Sequence, residues 1–268
     1  MLCVHLVPVG TSLLGNFARS VEGSRVVSSY GLEGLERFAP DDPRQVRVCE
    51  LWGELSGYLR GFIESTGELA CAELSSLLRA SRGLGCEPGS TRVILYSTNT
   101  CNARLAMSVI AWYLREKLGF IVEERVISSA SSEDELDIAM AELVDTVLRD
   151  TVRYAERGYH VCVNATPGFK VESAYVTVAA MLAGIHCVYY MHEAFRDVVY
   201  MPVPPLQLRS EYVDAILALE KPIEVREAVE KLGKTMLEEL KARGLVVESG
   251  GVVRARRWAV SLAKLARS

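Results

Sequence analysis

Short apolar runs rich in β-branched residues recur along this chain, and most are followed by a stretch with helical periodicity. The runs lie at residues 2–9, 92–96, 160–164, 186–191 and 198–201, and a further strand is predicted at 120–127. Strands that are apolar on both faces and alternate with helices typically form a parallel sheet covered by helices. We therefore predict an α/β fold, with a helical excursion at residues 29–81, where no strand run occurs.

The pattern changes after a proline-rich stretch at residues 202–205. Residues 223–232 and 234–243 read as two helices, residues 244–254 as a hairpin with a Gly-Gly turn, and residues 258–265 as a last helix. Helix, helix, hairpin and helix form the outline of a winged helix. We predict a main domain at 1–206, a linker at 207–222 and a small C-terminal winged-helix-like domain at 223–268.

Charge supports two units, because residues 221–268 carry a net +5 while the rest of the chain carries −9. A basic unit of this kind binds nucleic acid or makes protein contacts, and the sequence leaves both open. No apolar run is long enough for a membrane span, and no signal peptide is evident, so we expect a cytoplasmic protein without membrane contact. The seven cysteines include no C-x-x-C pair. Cys162 and Cys187 are predicted to be buried thiols that pack as small hydrophobes.

Small polar residues follow three of the predicted strands, which is the strongest physical signal for a site. They are Gly10-Thr11-Ser12, Thr98-Asn99-Thr100, and the turn from Asn164 to Lys170. Ligands of parallel sheets bind outside the carboxyl ends of the strands, and the first turn of a helix attracts anions. Lys170 adds a full positive charge at such a turn. We therefore predict one phosphate-binding site built from these strand ends.

Each of these residues also has an ordinary structural explanation. Thr11, Ser12, Asn99 and Thr100 are good helix caps, Arg104 would serve equally as a surface charge, and Lys170 as a solvated lysine. His192, just beyond the fifth strand, is the histidine that could reach the site. The spacing around Ser12 and around Lys170 excludes a serine-hydrolase elbow and a Walker A loop, respectively.

Two of the strand ends also resemble known motifs. The stretch from Val7 to Asn16 resembles the opening motif of CARF domains, the CRISPR-associated Rossmann-fold sensors, and the stretch from Asn164 to Lys170 resembles their second signature. The resemblance spans residues 1–206. It implies a Rossmann-like parallel sheet and a homodimer that binds a cyclic oligoadenylate of type III CRISPR signalling. With only a small unit attached, the chain resembles the standalone ring nucleases of this family.

The resemblance also implies a chemistry, in which cyclic tetra-adenylate is opened without metal or cofactor when a ribose 2′-OH attacks its own 3′ phosphate. The products would be linear di-adenylates ending in a 2′,3′-cyclic phosphate. The family's catalytic lysine falls on Lys170, and the matching serine on Ser12. The candidate ligand-binding residues are Gly10, Thr11, Asn16, Thr98, Asn99, Thr100, Arg104, Asn164, Thr166, Gly168 and Phe169. No strong general base is evident, so slow turnover is expected.

The alternative is a transcription regulator that responds to the same ligand and has no nuclease activity. In that case Arg254, Arg256 and Arg257 of the hairpin region would contact DNA phosphates.

Overall fold

The computed structural model describes residues 1–167, 170–192, 194 and 197–267, with residues 170–172 described by their backbone alone. A six-stranded sheet forms the centre of the molecule, in the order β3-β2-β1-β4-β5-β6. Its strands are β1 (Cys3–Pro8), β2 (Arg92–Thr98), β3 (Ile121–Ile127), β4 (His160–Asn164), β5 (Cys187–His192) and β6 (Asp197–Met201). All neighbours are parallel except β5 and β6. The predicted α/β fold with a parallel sheet is confirmed.

Helices cover both faces of the sheet, because alternate residues of its strands are apolar on each side. One face carries α1 (Ser12–Arg19), α2 (Val21–Ser29), α3 (Arg44–Glu50), α4 (Trp52–Thr66), α5 (Ala72–Leu84) and α6 (Cys101–Trp112). The other face carries α7 (Glu133–Ala155) and α8 (Lys170–Leu182). In β2, Val93 and Leu95 face the first group, and Ile94 and Tyr96 face the second. The helical excursion at 29–81 is thus confirmed as one cover of the sheet.

Helix α7 begins after a capping serine. Ser132 is its N-cap and accepts a hydrogen bond from the backbone N–H of Glu135 at 3.3 Å. Three acidic residues follow in the first turn, where the helix dipole favours negative charge.

The C-terminal region forms a second cluster around a small antiparallel sheet. Its helices are α9 (Ser210–Ala218), α10 (Val225–Leu232), α11 (Lys234–Ala242) and α12 (Arg257–Arg267). Its strands are β7 (Ile223–Glu224), β8 (Val246–Ser249) and β9 (Val252–Ala255), in the order β7-β9-β8. Gly250 and Gly251 join β8 to β9 with φ values of 57° and 80°, a conformation that favours glycine, so the predicted Gly-Gly hairpin is confirmed.

Two details of this region differ from the sequence predictions. The segment 207–222, predicted as a linker, contains α9, whose Tyr212, Val213 and Ile216 are buried in the C-terminal cluster. The first predicted helix begins at Val225, because Ile223 pairs with Val253 of β9. In both cases burial of a few apolar side chains decides the structure.

The C-terminal region packs against α7 and α8. Leu262 of α12 is buried among side chains of the main core, and Trp258 meets Tyr175 of α8 edge to face, with ring centroids 5.1 Å apart. Arg254 pairs with the buried Asp137 of α7 at 3.3 Å. The basic C-terminal region is therefore joined to the acidic body by an apolar contact and by ion pairs. Within the described part of the chain, no helix is long and apolar enough to cross a membrane.

Three disulfides join described cysteines: Cys3–Cys86, Cys49–Cys101 and Cys162–Cys187. The prediction that Cys162 and Cys187 are free thiols is wrong. They are register partners on β4 and β5, and their Cα atoms lie 4.6 Å apart. Disulfides are usual in secreted proteins and also occur inside hyperthermophiles.

Candidate functional site

The strand order places a switch point between β1 and β4, where the chain connections run to opposite sides. The turn Gly10–Ser12 follows β1, and α8 begins at Lys170 shortly after β4 ends. The backbone elements of the predicted site thus lie together at the carboxyl ends of β1 and β4. Gly168 and Phe169 lie outside the described residues, and so does the side chain of Lys170.

A carboxylate absent from the sequence prediction lies at the end of β1. Glu73, in the first turn of α5, is 1% exposed. Its Oε1 accepts the backbone N–H of Gly10 at 2.8 Å, and its Oε2 accepts the hydroxyl of Ser12 at 2.6 Å. The Ser12 oxygen also accepts the backbone N–H of Ala72 at 3.1 Å. The Gly10 amide, expected to bind a phosphate, is therefore already bonded to a carboxylate of the protein.

Asn164 fixes the first turn of α5 against β4. It is fully buried, and its Nδ2 lies 2.7 Å from the Ser76 hydroxyl and 3.5 Å from the Glu73 carbonyl oxygen. Its Oδ1 accepts the backbone N–H of Thr166 at 3.1 Å, and the Thr166 hydroxyl accepts the backbone N–H of Met191 at 2.8 Å. Both predicted ligand-binding residues are thus engaged within the protein, and Asn164 helps to place Glu73.

A cleft of about 600 Å³ opens beyond the carboxyl ends of β1, β2 and β3. The Thr98 and Thr100 hydroxyls, 3.2 Å apart, lie on its wall. The Thr11 hydroxyl donates to the Glu36 carbonyl oxygen at 2.8 Å and so ties α1 to the facing loop. Most of the other lining residues come from residues 36–40, the loop at 128–130, and the side of α7 that carries Leu136, Ala139 and Met140. Val9, Asn102 and Ala103 complete the lining. Gly10, Thr11, Thr98 and Thr100 are therefore brought together, as the sequence predicts.

The loop facing this cleft is held by a buried pair of amides that sequence reasoning missed. Asn102, 2% exposed, donates through Nδ2 to the carbonyl oxygens of Leu35 at 3.1 Å and Phe38 at 3.4 Å. Its Oδ1 accepts from Gln45 Nε2 at 3.0 Å and from the Ala103 backbone N–H at 2.8 Å. This network fixes one wall of the cleft relative to the amino end of α6.

The remaining predicted residues lie near the cleft without lining it. Asn16 donates to the Ala70 carbonyl oxygen at 2.9 Å. Asn99 is exposed and accepts the backbone N–H of Ser129 at 3.0 Å. Arg104 lies over the Trp52 ring, 5.8 Å from its centroid. These three contacts are structural, and they leave the proposed ligand contacts of these residues as predictions.

A second group of reactive side chains lies toward the amino ends of β4 and β5. One ligand atom each from His160, Cys162 and Cys187 lies within 4.8 Å of the others, but the two sulfurs are joined as a disulfide. In this form the group can offer only an imidazole to a metal. Neighbouring His5 is fully buried, and burial, then the charge of His160, lowers its pKa to about 3.

The family of the chain follows from a comparison with protein-family models. The model described as "CRISPR-associated protein (Cas_APE2256)" matches residues 68–204, about half of the chain. The chain belongs to this CRISPR-associated family. The part matched to the Cas_APE2256 family contains Glu73, Asn164 and Lys170, and it begins after the Gly10–Ser12 turn.

Among solved structures, the crystal structure of protein VC1899 from Vibrio cholerae is similar, at 9% sequence identity and a TM-score of 0.33. The match covers 99% of this chain and 66% of that one, so the chain spans about two thirds of that protein's length. A likeness this distant adds nothing to the assignment of function.

Glu73 and the amide pair of Asn102 and Gln45 are the features of the candidate site that sequence reasoning missed. An acidic residue in the first turn of a helix is common for electrostatic reasons alone, so Glu73 carries no distinctive signal. It is 61 residues from Ser12 in the sequence. Glu73 reaches the turn after β1 only because α5 packs against that turn. No local sequence pattern reveals this packing.

Proposed function

We propose that the chain is a metal-independent ring nuclease that binds cyclic tetra-adenylate and opens it to linear di-adenylate. One observation carries the proposal. In a member of a CRISPR-associated family, the Gly10–Ser12 turn and the amino end of α8 at Lys170 lie at the same switch point of a parallel sheet. The start of α8 at that point suits a phosphate.

In this proposal the ribose 2′-OH attacks its own 3′ phosphorus, and the bond from phosphorus to the neighbouring 5′ oxygen breaks. The protein has to hold these atoms in line and stabilise charge on the phosphorane. Lys170 would supply the positive charge, and Ser12 would orient the attacking hydroxyl. The reaction consumes no water and needs no cofactor, because the 2′,3′-cyclic phosphate keeps the same number of atoms.

The ligand has two-fold symmetry, so we propose that two copies of the chain bind it across a C2 interface, each copy contributing one site. The cleft at the ends of β1, β2 and β3 has room for part of such a ligand. Its hydroxyls on Thr98 and Thr100 suit the polar edge of a nucleobase.

We propose a winged-helix-like unit at the C-terminus, with the hairpin β8–β9 as its wing. The alternative of a DNA-binding regulator requires free arginines there. Arg254 instead pairs with Asp137 and Arg256 with Glu133 at 3.1 Å, which favours a role in bracing α7. DNA-duplex binding that falls steeply with salt and changes on adding cyclic tetra-adenylate would favour the regulator instead.

The test is incubation with radiolabelled cyclic tetra-adenylate in EDTA. We expect di-adenylate 2′,3′-cyclic phosphate from the wild type and a rate about 10²–10³ lower for Lys170→Ala, as for removal of one charge-stabilising donor. Lys234→Ala is the matched control, since Lys234 also begins a helix but is exposed in the C-terminal region. An intact ring after incubation with the wild type would refute the proposal.

A further inference from the structure

The hydrogen bonds of Ser12 have a fixed direction. Glu73 is bonded to both the Gly10 amide and the Ser12 hydroxyl, and a carboxylate can only accept. The Ser12 hydrogen is therefore directed to Glu73 Oε2, and one of its two lone pairs accepts the Ala72 amide. What Ser12 can offer a ligand is its second lone pair, which makes it an acceptor of a hydrogen rather than a donor to a phosphate.

The attacking group of the proposed reaction is a hydroxyl that has to lose its proton. If a ribose 2′-OH donates a hydrogen bond to Ser12, it is connected through Ser12 to the buried Glu73 carboxylate. We propose that Glu73 is the proton acceptor of the ring-opening step and acts through Ser12. This inference rests on the proposed function and identifies the general base that the sequence motifs lack. Because Glu73 would not touch the ligand, it is a positioning residue for Ser12.

The step balances without a further reactant. As the 2′ oxygen bonds to phosphorus, its proton passes to Ser12 Oγ and the Ser12 proton passes to Glu73 Oε2. The bond from phosphorus to the 5′ oxygen breaks, and the 5′ oxygen takes a proton from water. Glu73 returns its proton to solvent through Ser12 after the product leaves. The carboxylate thus ends as it began, and the product differs from the substrate only in its bonds.

The surroundings keep the carboxylate available for this task. It lies at the amino end of α5 and against the amide that precedes α1, and both helix starts favour negative charge. Cys71, the residue just before α5, is a titratable group beside Glu73. Burial, and then the charge of Glu73, raises the pKa of the Cys71 thiol well above its usual range, so the thiol stays neutral. Lys170 begins the helix on the other side of the switch point.

Charged or titratable groups on the other neighbouring elements have partners of their own. His5 of β1 bonds to the Tyr189 hydroxyl, Glu68 before α5 to Arg82, and Arg19 of α1 to Asn16. The Glu73 carboxylate is therefore free to take up a proton from Ser12 without breaking an ion pair with these residues.

The decisive variant is Glu73→Gln, which keeps the shape and reverses one hydrogen bond. Its carbonyl oxygen can still accept the Gly10 amide, but its NH₂ group has to donate to Ser12, which then cannot pass a proton on. We expect kcat for cyclic tetra-adenylate to fall about 10²–10⁴-fold, the usual contribution of a general base, with ligand affinity within a few fold. Glu68→Gln, the same substitution just before α5, is the control and should keep the wild-type rate.

The pH profile separates a proton acceptor from a structural residue. The wild-type kcat should fall toward acid pH, and this acid limb should disappear in the residual activity of Glu73→Gln. Glu73→Asp, which keeps a carboxylate at a shorter reach, should retain the acid limb at a reduced rate. It also serves as the second variant if Glu73→Gln does not fold, as judged by circular dichroism.

The outcomes distinguish this inference from the proposed function. If the wild type leaves the ring intact, both fail. If the wild type cleaves it, Lys170→Ala does not, and Glu73→Gln cleaves at the wild-type rate with an unchanged acid limb, only the role of Glu73 is refuted. Loss of rate together with loss of the acid limb supports it.

Discussion

The amide pair that holds the cleft wall gives a sharp test of the structure. In Asn102→Ala, the Leu35 carbonyl and the Ala103 amide lose the bonds described above, whereas the Phe38 carbonyl keeps one from Gln45 Nε2 at 3.2 Å. Each buried polar group left without a partner costs about 1–3 kcal/mol. Two such groups, partly relieved by relaxation of the loop, lower the free energy of unfolding by about 3 kcal/mol.

The measurement is urea unfolding followed by far-ultraviolet circular dichroism, without reductant. Asn99→Ala is the matched control, because Asn99 is exposed three positions earlier and makes one hydrogen bond, to Ser129. A surface change of this kind should stay within about 0.5 kcal/mol. A loss below about 1 kcal/mol for Asn102→Ala, or one equal to that of Asn99→Ala, would refute the buried network.

Three further predictions concern the interior. Burial lowers the pKa of His5 to about 3 from an ordinary 6.5, so its contribution to stability is present above pH 6.5 and is lost toward acid. The wild type should lose about 2 kcal/mol more than His5→Gln between pH 8 and pH 5, and equal losses would contradict this. Arg254→Met should lower the free energy of unfolding by about 2 kcal/mol, because the Asp137 carboxylate is left poorly paired. In urea unfolding, adding Asp137→Asn should recover at least half of that loss, whereas additive losses would argue against the ion pair. Thiol titration of the denatured, unreduced protein should find one free thiol, Cys71, and a count of seven would exclude the three disulfides.

The sheet could be predicted because its signal is local. A strand buried on both faces needs an unbroken apolar run, and β1, β2, β4 and β5 each show one, whereas β3 carries charged residues and is only partly buried. The start of α7 also has a local signal, since Ser132 caps it and three acidic residues follow. The helix α9 was missed because the prolines before it indicated a linker, while its apolar contacts lie in elements far along the chain.

The position of the candidate site could be predicted from the sequence, but the bonds among its side chains could not. Strand ends of a parallel sheet converge, so Gly10, Thr98 and Lys170 could be assigned to one edge from the topology alone. Which partner Ser12 takes depends on how α5 packs on the turn after β1, and the pairing of Cys162 with Cys187 depends on the register of β4 with β5. Neither the packing of α5 nor the register of β4 with β5 can be predicted from a local sequence pattern.

The packing of α12 on α7 has a consequence for how the chain folds during synthesis. The ribosome makes α7 before β4, α8, β5 and the whole C-terminal region, yet Leu262 of α12 belongs to the core that α7 and α8 share with the sheet. One side of the nascent sheet domain therefore stays incompletely covered until α12 has emerged. During that interval the apolar face of α7 and the unpaired Asp137 are exposed, and this is where we expect a chaperone to bind the nascent chain.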